Sequence, residues 1–157
     1  MKPYVALGIV VVVLTAAFGL GNMVPTSSAA DRTHREVFNN ASIKGVWGFA
    51  GGPGFLVPPS VPKAVPTSGA GIVEFDGDGG CSVTTIVNVN GTTSEPVTSD
   101  SCTYSVEPNG IGSSVAHFSE GPVQGSVPVA FVIVDNKKEL QFIQTAVIVA
   151  SFVAKRQ

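Results

Sequence analysis

From residue 70 onward, apolar segments alternate with short turn-forming segments rich in Gly, Asn and Asp, and this alternation most constrains the fold. Strands that recur about every 8 to 14 residues, with such turns between them, predict an antiparallel meander. Together with an earlier aromatic segment, roughly eight strands are predicted: 45–50, 70–75, 81–89, 102–106, 113–118, 127–134, 139–144 and 147–154. Because closure of a sheet removes its exposed edges, we predict an all-β, up-and-down antiparallel barrel of about eight strands, with a β-sandwich as the alternative.

The composition excludes several other classes of protein. The 157 residues include 9 Lys or Arg and 11 Asp or Glu, which gives a formal charge of −2. A nucleic-acid-binding protein would show a basic face, so we predict no nucleic-acid partner. No segment beyond the N-terminal apolar run has a sustained period of 3.6 residues, which argues against a helical bundle. Segment 127–134 is apolar almost throughout, so we expect a strand buried on both faces.

The N-terminus has the pattern of an export signal. Lys2 precedes an uncharged apolar run over residues 5–20, and the small residues Ser28 and Ala30 follow before the first charge cluster. These features predict a secretory signal peptide over 1–30 and a single β-barrel domain over 31–157. The alternative is an uncleaved anchor helix, but sixteen residues fall short of the roughly 20 that span a bilayer. We therefore expect a protein that is periplasmic or extracellular, with no membrane association after cleavage.

The only two cysteines, Cys81 and Cys102, lie on either side of an Asn90-Gly91 pair that is typical of a hairpin turn. In a hairpin centred there, the two cysteines would face each other across the ladder. An even count in an exported chain favours one structural disulfide. A redox or metal role is disfavoured, since the chain has no Cys-x-x-Cys and only two histidines.

Segment 51–69 contains five of the eleven prolines. Proline donates no ladder hydrogen bond, so the segment predicts a long loop with at most a short edge strand at 55–57. A loop of this length inside a compact domain is usually functional or disordered, and a functional loop here could act as a lid over one mouth of the barrel.

No catalytic fingerprint is present. The segment Asp76-Gly77-Asp78-Gly79 resembles the start of a calcium loop, but the fifth and twelfth positions are Gly80 and Val87. An EF-hand needs oxygen ligands there, so a hairpin turn is favoured and we predict neither a metal site nor a cofactor. The sequence also has no phosphate-binding loop and no nucleophile elbow.

Four residues are candidates for a site within the barrel. Glu74 lies in a strand between Val73 and Phe75, and alternation does not decide which face points inward. If Glu74 pointed into the lumen, its carboxyl group could act as a general acid or base. His117 has the same ambiguity, and Trp47 and Phe49 share one strand face, where they would pack in the core or line a ligand site.

Several motifs together resemble secreted bacterial proteins of the allene oxide cyclase barrel-like superfamily. They are Ser42-x-x-Gly45-x-Trp47-x-Phe49, the 75–79 turn, Asn90-Gly91, and segments 102–106, 132–136, 139–143 and 154–157. The resemblance implies an eight-stranded antiparallel barrel, a fold that dirigent proteins also use. Plant allene oxide cyclases act on a fatty-acid-derived epoxide in an apolar lumen, but no catalytic residue is carried over from them to this chain.

Two functional hypotheses follow from the sequence. The first is a non-catalytic secreted barrel that binds a small hydrophobic ligand or presents a stable extracellular surface. The second is a cofactor-independent cyclase or isomerase of an apolar substrate, with Glu74 as the acid–base group. Both small-molecule hypotheses require that the lumen is not filled by phenylalanine side chains.

Overall fold

The computed structural model describes residues 37–144, 146 and 148–157. These residues form an all-β structure whose only helices are two single-turn 3-10 segments, Asn40–Ile43 and Asp135–Lys137. The ten strands are β1 (Gly45–Leu56), β2 (Val65–Phe75), β3 (Cys81–Val89), β4 (Thr92–Thr93), β5 (Val97–Thr98), β6 (Ser101–Val106), β7 (Ile111–Phe118), β8 (Gly125–Val134), β9 (Glu139–Gln144) and β10 (Ile148–Arg156). Within this part of the chain, no helix is long and apolar enough to cross a membrane. The predicted signal peptide, 1–30, lies outside the described residues.

Eight of these strands are long, and they form one curled antiparallel sheet, a half-barrel, in the order β3-β2-β1-β10-β9-β8-β7-β6. The first and last long strands, β1 and β10, pair with each other in the middle of this order. The sheet therefore has its free edges at β3 and β6. The predicted all-β class and the antiparallel arrangement of about eight long strands are confirmed; the two-residue strands β4 and β5 are additional.

The chain between β3 and β6 covers the free edge of β3. After the turn at Asn90 and Gly91, both of which have a positive φ as a two-residue hairpin turn requires, the chain runs back along β3. The pairing register shifts by one residue between successive contacts: Asn88–Thr93, Thr84–Thr98 and Gly80–Thr103. This irregular hairpin covers an edge that would otherwise be open to other chains.

Cys81 and Cys102 form the disulfide at the end of this hairpin, with their Cα atoms 4.8 Å apart. The bond joins β3 to β6, which are the two ends of the strand order. The predicted pairing of the two cysteines across the Asn-Gly hairpin is confirmed. The disulfide therefore holds together the one seam in the sheet that lacks a continuous ladder.

The predicted long loop over 51–69 is wrong. Strand β1 continues to Leu56 and β2 begins at Val65, so only eight residues, 57–64, connect them. Pro53 lies where the pairing of β1 with both neighbours shifts register, between Gly51 and Gly54 on one side. A bulge of this kind tolerates a residue that donates no ladder hydrogen bond. The connection itself contributes Val61, which packs against the nearby core.

The core consists of two clusters at opposite ends of the half-barrel, because β1 contributes Trp47 to one and Leu56 to the other. The aromatic cluster comprises Ile43, Trp47, Val73, Phe75, Tyr104, Phe131, Ile133, Leu140, Phe142 and Ala154. The aliphatic cluster comprises Leu56, Val87, Cys102, Ala116, Phe118, Val123, Val127 and Ile148. The first end is thus filled with large rings, and the second is built mainly from smaller side chains.

Strand β8 is buried on one face only, which corrects the expectation for 127–134. Val127, Phe131 and Ile133 are buried, whereas Ala130 and Val132 are exposed. The outer face of the sheet is covered by no second layer among the described residues. Apolar residues on this face therefore remain in contact with solvent.

Candidate functional site

A cavity of about 110 Å³ lies inside the half-barrel, between the aromatic and aliphatic clusters. Its surface is predominantly apolar, as is usual for sites that bind small molecules. The residues that line it are Phe49, Thr67, Ser68, Gly69, Val73, Phe75, Val83, Thr85, Val87, Val97, Ser114, Ala116, Phe118, Glu120, Pro122, Val123, Val127, Val129, Phe142, Gln144, Ile148, Ala150 and Phe152.

The cavity exists because small residues occupy inward positions on several strands. Gly69 on β2, Ser114 and Ala116 on β7 and Ala150 on β10 all line it. An eight-stranded barrel has an interior that side chains can just fill, so short side chains at this level leave a space. Phenylalanine side chains border the cavity without closing it, which is the condition that both small-molecule hypotheses required.

The mouth of the cavity is marked by three lining residues that are exposed to solvent: Ser68, Glu120 and Pro122. Glu120 and Pro122 belong to the connection between β7 and β8. Among the described lining residues, Glu120 is the only charged one and none is basic. A ligand at the mouth therefore meets a negative charge, and an anionic ligand would find no cation in the described lining to pair with.

Gln144 supplies a polar group to the cavity wall. It lies at the end of β9, where it pairs with Val129 on β8 and Ala150 on β10, and both of these also line the cavity. Its side-chain Oε1 atom is buried and has no hydrogen-bond partner, the only such side-chain atom found among the described residues. Most other buried polar side-chain atoms in folded proteins are paired, so this one calls for an explanation.

The polar side chain of Thr67 shows the contrast. Thr67 also lines the cavity and is buried, but its hydroxyl donates a hydrogen bond of 2.9 Å to the carbonyl oxygen of Asn88. This bond satisfies the Thr67 donor within the protein. Gln144 is therefore distinguished by an amide oxygen that the protein leaves unpaired.

Of the two aromatic candidates, the structure brings only Phe49 to the cavity. Trp47 is fully buried in the aromatic cluster, where its Nε1 donates a 2.8 Å hydrogen bond to the carbonyl oxygen of Ile43. The guanidinium of Arg156 lies 4.9 Å from the centre of the indole ring. Trp47 does not line the cavity, because its side chain belongs to the filled end of the half-barrel.

Glu74 and His117 lie on the outer face of the sheet and do not line the cavity. Glu74 is exposed because Val73 and Phe75, its neighbours in β2, point inward and are buried. His117 is exposed between the inward-facing Ala116 and Phe118, and its Nδ1 lies 3.5 Å from the Ser126 hydroxyl. The face that alternation left open is therefore the outer one for both residues, and the acid–base role considered for Glu74 loses its premise.

The acidic segment after β2 is a hairpin turn, as favoured from the sequence. One carboxylate oxygen of Asp76, Oδ1, accepts hydrogen bonds from the backbone N–H groups of Asp78, Gly79 and Gly80. The bond from Asp78 is the main reason that the pKa of Asp76 lies below its usual value. The carboxylate thus stabilises the β2–β3 turn.

Tyr104 connects this turn to the core. Its hydroxyl accepts a hydrogen bond from the N–H of Gly77 and donates one to the carbonyl oxygen of Asn40. Burial is the main cause that raises the pKa of Tyr104 above its usual value. The neutral phenol is therefore the form that holds the turn against the 3-10 segment.

Gln144, Glu120 and Ala116 are cavity residues that the sequence analysis did not single out. The signal for Gln144 was present, because Leu140, Phe142 and Gln144 occupy alternate positions of one strand and the first two are apolar core residues. A polar residue that continues an apolar face points toward an internal site. No such signal exists for Glu120, which lies in a connection between strands.

No protein family, curated protein or solved structure that was compared with the chain matches it. The cavity and its lining are therefore the features of the molecule that point to a function.

Proposed function

We propose that this protein binds a small apolar molecule in the cavity of the half-barrel and acts without catalysing a reaction. The observation that carries the proposal is the hollow between the two core clusters, with its predominantly apolar lining. An engineered apolar cavity of about 150 Å³ in another protein binds benzene. A space of about 110 Å³ with a mouth toward solvent suits a ligand whose buried part is a single ring or a short branched chain.

The proposal includes export of the chain, with 1–30 as a cleaved signal peptide and a final location in the periplasm or outside the cell. The Cys81–Cys102 disulfide supports it, because such bonds persist mainly in oxidising compartments. We also propose that the chain belongs to the allene oxide cyclase barrel-like superfamily. The support for this assignment is the curled antiparallel sheet of eight long strands with short connections.

Titration with toluene tests the proposal. We expect saturable changes in the backbone amide NMR signals of cavity-lining strands, with the signals of Glu74 and His117 on the outer face unaffected. Ligand that binds only the native state also raises the unfolding midpoint by mass action.

A matched pair of variants locates the binding. Ala116 lines the cavity on β7, and Ala130 is exposed on β8. Ala116→Leu should remove toluene binding by occupying the space, whereas Ala130→Leu should leave it unchanged. Lack of saturable binding by the unmodified protein would refute the proposal and leave a structural extracellular role as the alternative.

A further inference from the structure

Resting on the proposed function, we infer that the natural ligand is a neutral molecule with an apolar body and one hydroxyl group, and that this hydroxyl pairs with the side chain of Gln144. Gln144 is one of the residues that line an otherwise mainly apolar cavity, and the buried Oε1 atom of its side chain has no hydrogen-bond partner. A buried acceptor without a partner destabilises the folded protein, so a ligand that supplies a donor gains affinity by satisfying it.

A hydroxyl group is the simplest group that fits this side chain. The carbonyl oxygen and the NH2 group of an amide are exchanged by a rotation of the side chain about its last bond, so either end can face the cavity. A hydroxyl both donates and accepts hydrogen bonds, and it therefore pairs with the amide in either orientation. A pure donor or a pure acceptor would match only one orientation.

The charge distribution disfavours an acid as the ligand. A carboxylate such as that of a fatty acid is stabilised in a protein by a cation or by several hydrogen-bond donors. The described lining contains no Lys, Arg or His, and the one charged residue at the mouth, Glu120, is itself negative. The polar and charged groups of the cavity lining therefore favour the binding of an alcohol over the carboxylic acid or the hydrocarbon with the same apolar body.

Toluene, benzyl alcohol and benzoate have the same ring and differ in the group attached to it, so they form a matched series for the test. With the unmodified protein, we expect benzyl alcohol to bind at least as tightly as toluene and benzoate to show no saturable binding. One net hydrogen bond corresponds to a factor of about three to ten in affinity. In Gln144→Met, benzyl alcohol should lose about this factor relative to toluene, while toluene keeps or gains affinity.

The matched control is Gln141→Met. Gln141 lies on the same strand but is exposed on the outer face, so its replacement should leave both affinities unchanged. Gln144→Leu serves as a second variant, so that the conclusion does not depend on the fold of a single variant. The inference is overturned if the ratio of alcohol to toluene affinity is the same in both Gln144 variants as in the unmodified protein. It is also overturned if benzoate binds as tightly as the alcohol.

The two proposals fail in different ways. If none of the three compounds binds saturably, the proposed function itself fails. If toluene binds but benzyl alcohol gains nothing from Gln144, the cavity is a site for hydrocarbons, and only the inference about the hydroxyl group is rejected.

Discussion

Replacement of Ala116 by valine is expected to stabilise the protein, although most substitutions in a core destabilise. Ala116 is buried on β7 and lines the cavity, so the two added methyl groups would enter space that no side chain occupies. A methyl group is comparable in size to a water molecule, which takes up about 30 Å³ in the liquid. Two of them fit within about 110 Å³.

The expected gain follows from the burial of these two groups. Each buried methyl or methylene group contributes about 0.8 kcal/mol, so the two contribute about 1.6 kcal/mol. The lost rotamer freedom of the valine side chain offsets about 0.5 kcal/mol of this. The free energy of unfolding should therefore rise by about 1 kcal/mol.

Urea unfolding followed by tryptophan fluorescence measures this change. Trp47 is the only tryptophan, and it is fully buried in the aromatic cluster, so it reports on global unfolding. Ala130→Val is the control, because it makes the same change on the exposed face of β8 and includes the strand preference of valine. Its effect should stay within about 0.5 kcal/mol. If Ala116→Val destabilises the protein, or stabilises it no more than Ala130→Val does, the site has no free space and the cavity argument is wrong.

Three other predictions concern the parts that hold the half-barrel together. Replacing Cys81 and Cys102 by alanine removes a cross-link with a sequence separation of 21, and urea unfolding should show a loss of about 3 kcal/mol; a loss below about 1 kcal/mol would contradict a stabilising role. Tyr104→Phe leaves the N–H of Gly77 without its acceptor and should lower the free energy of unfolding by about 1 to 3 kcal/mol; an unchanged value would show that the hydroxyl is dispensable. The pKa of Asp76 is lower in the folded protein than in the unfolded chain, so its contribution to stability is present above the unfolded pKa and is lost as the pH falls through the folded pKa. Asp76→Asn should therefore flatten the acidic side of a plot of unfolding midpoint against pH, and an unchanged slope would contradict this.

The strand positions could be predicted from the sequence because their limits are set by local chemistry. Strands β3 and β9 begin and end where the turn residues on either side predict. The Asn90-Gly91 turn and the disulfide follow from residue types that have few structural alternatives. These features depend on a few neighbouring residues, so one sequence is enough to find them.

Neither the inward face of each strand nor the bulge in β1 could be predicted from a few neighbouring residues. Ile72 and Val73 are both apolar, yet one is exposed and the other buried, and Val132 is exposed beside the buried Phe131 and Ile133. When both faces of a strand carry apolar residues, the alternation of apolar and polar residues no longer shows which face is buried. The curvature of the whole sheet then determines the inward face. Pro53 predicts a loop when the sequence alone is considered, because the bulge that accommodates it depends on the pairing of β1 with both β2 and β10.

The cavity is the least predictable feature, because it results from residues far apart in the sequence. Gly69, Ser114, Ala116 and Ala150 are each ordinary strand residues, and only their common level in the half-barrel leaves space. Each could have been larger without a change in any local pattern. A search for small or polar residues in positions that continue an apolar face would have found Ala116 and Gln144, but it could not have given the volume.

The disulfide and the cavity are linked through stability. Empty space in a closed core costs about 24 cal/mol per Å³, so a space of about 110 Å³ that opens to solvent at its mouth lowers the free energy of unfolding by at most about 2.6 kcal/mol. The cross-link between Cys81 and Cys102 contributes about 3 kcal/mol by constraining the unfolded chain. Because the cross-link contributes at least as much as the cavity costs, the disulfide offsets that cost, and a reduced protein should depend more on its ligand for stability. By mass action, ligand should therefore raise the unfolding midpoint of both the oxidised and the reduced protein. At physiological temperature, only the reduced protein should change from partly unfolded to folded when ligand is added. A reduced, ligand-free protein that is fully folded at that temperature would show that the core at the aromatic end is sufficient by itself.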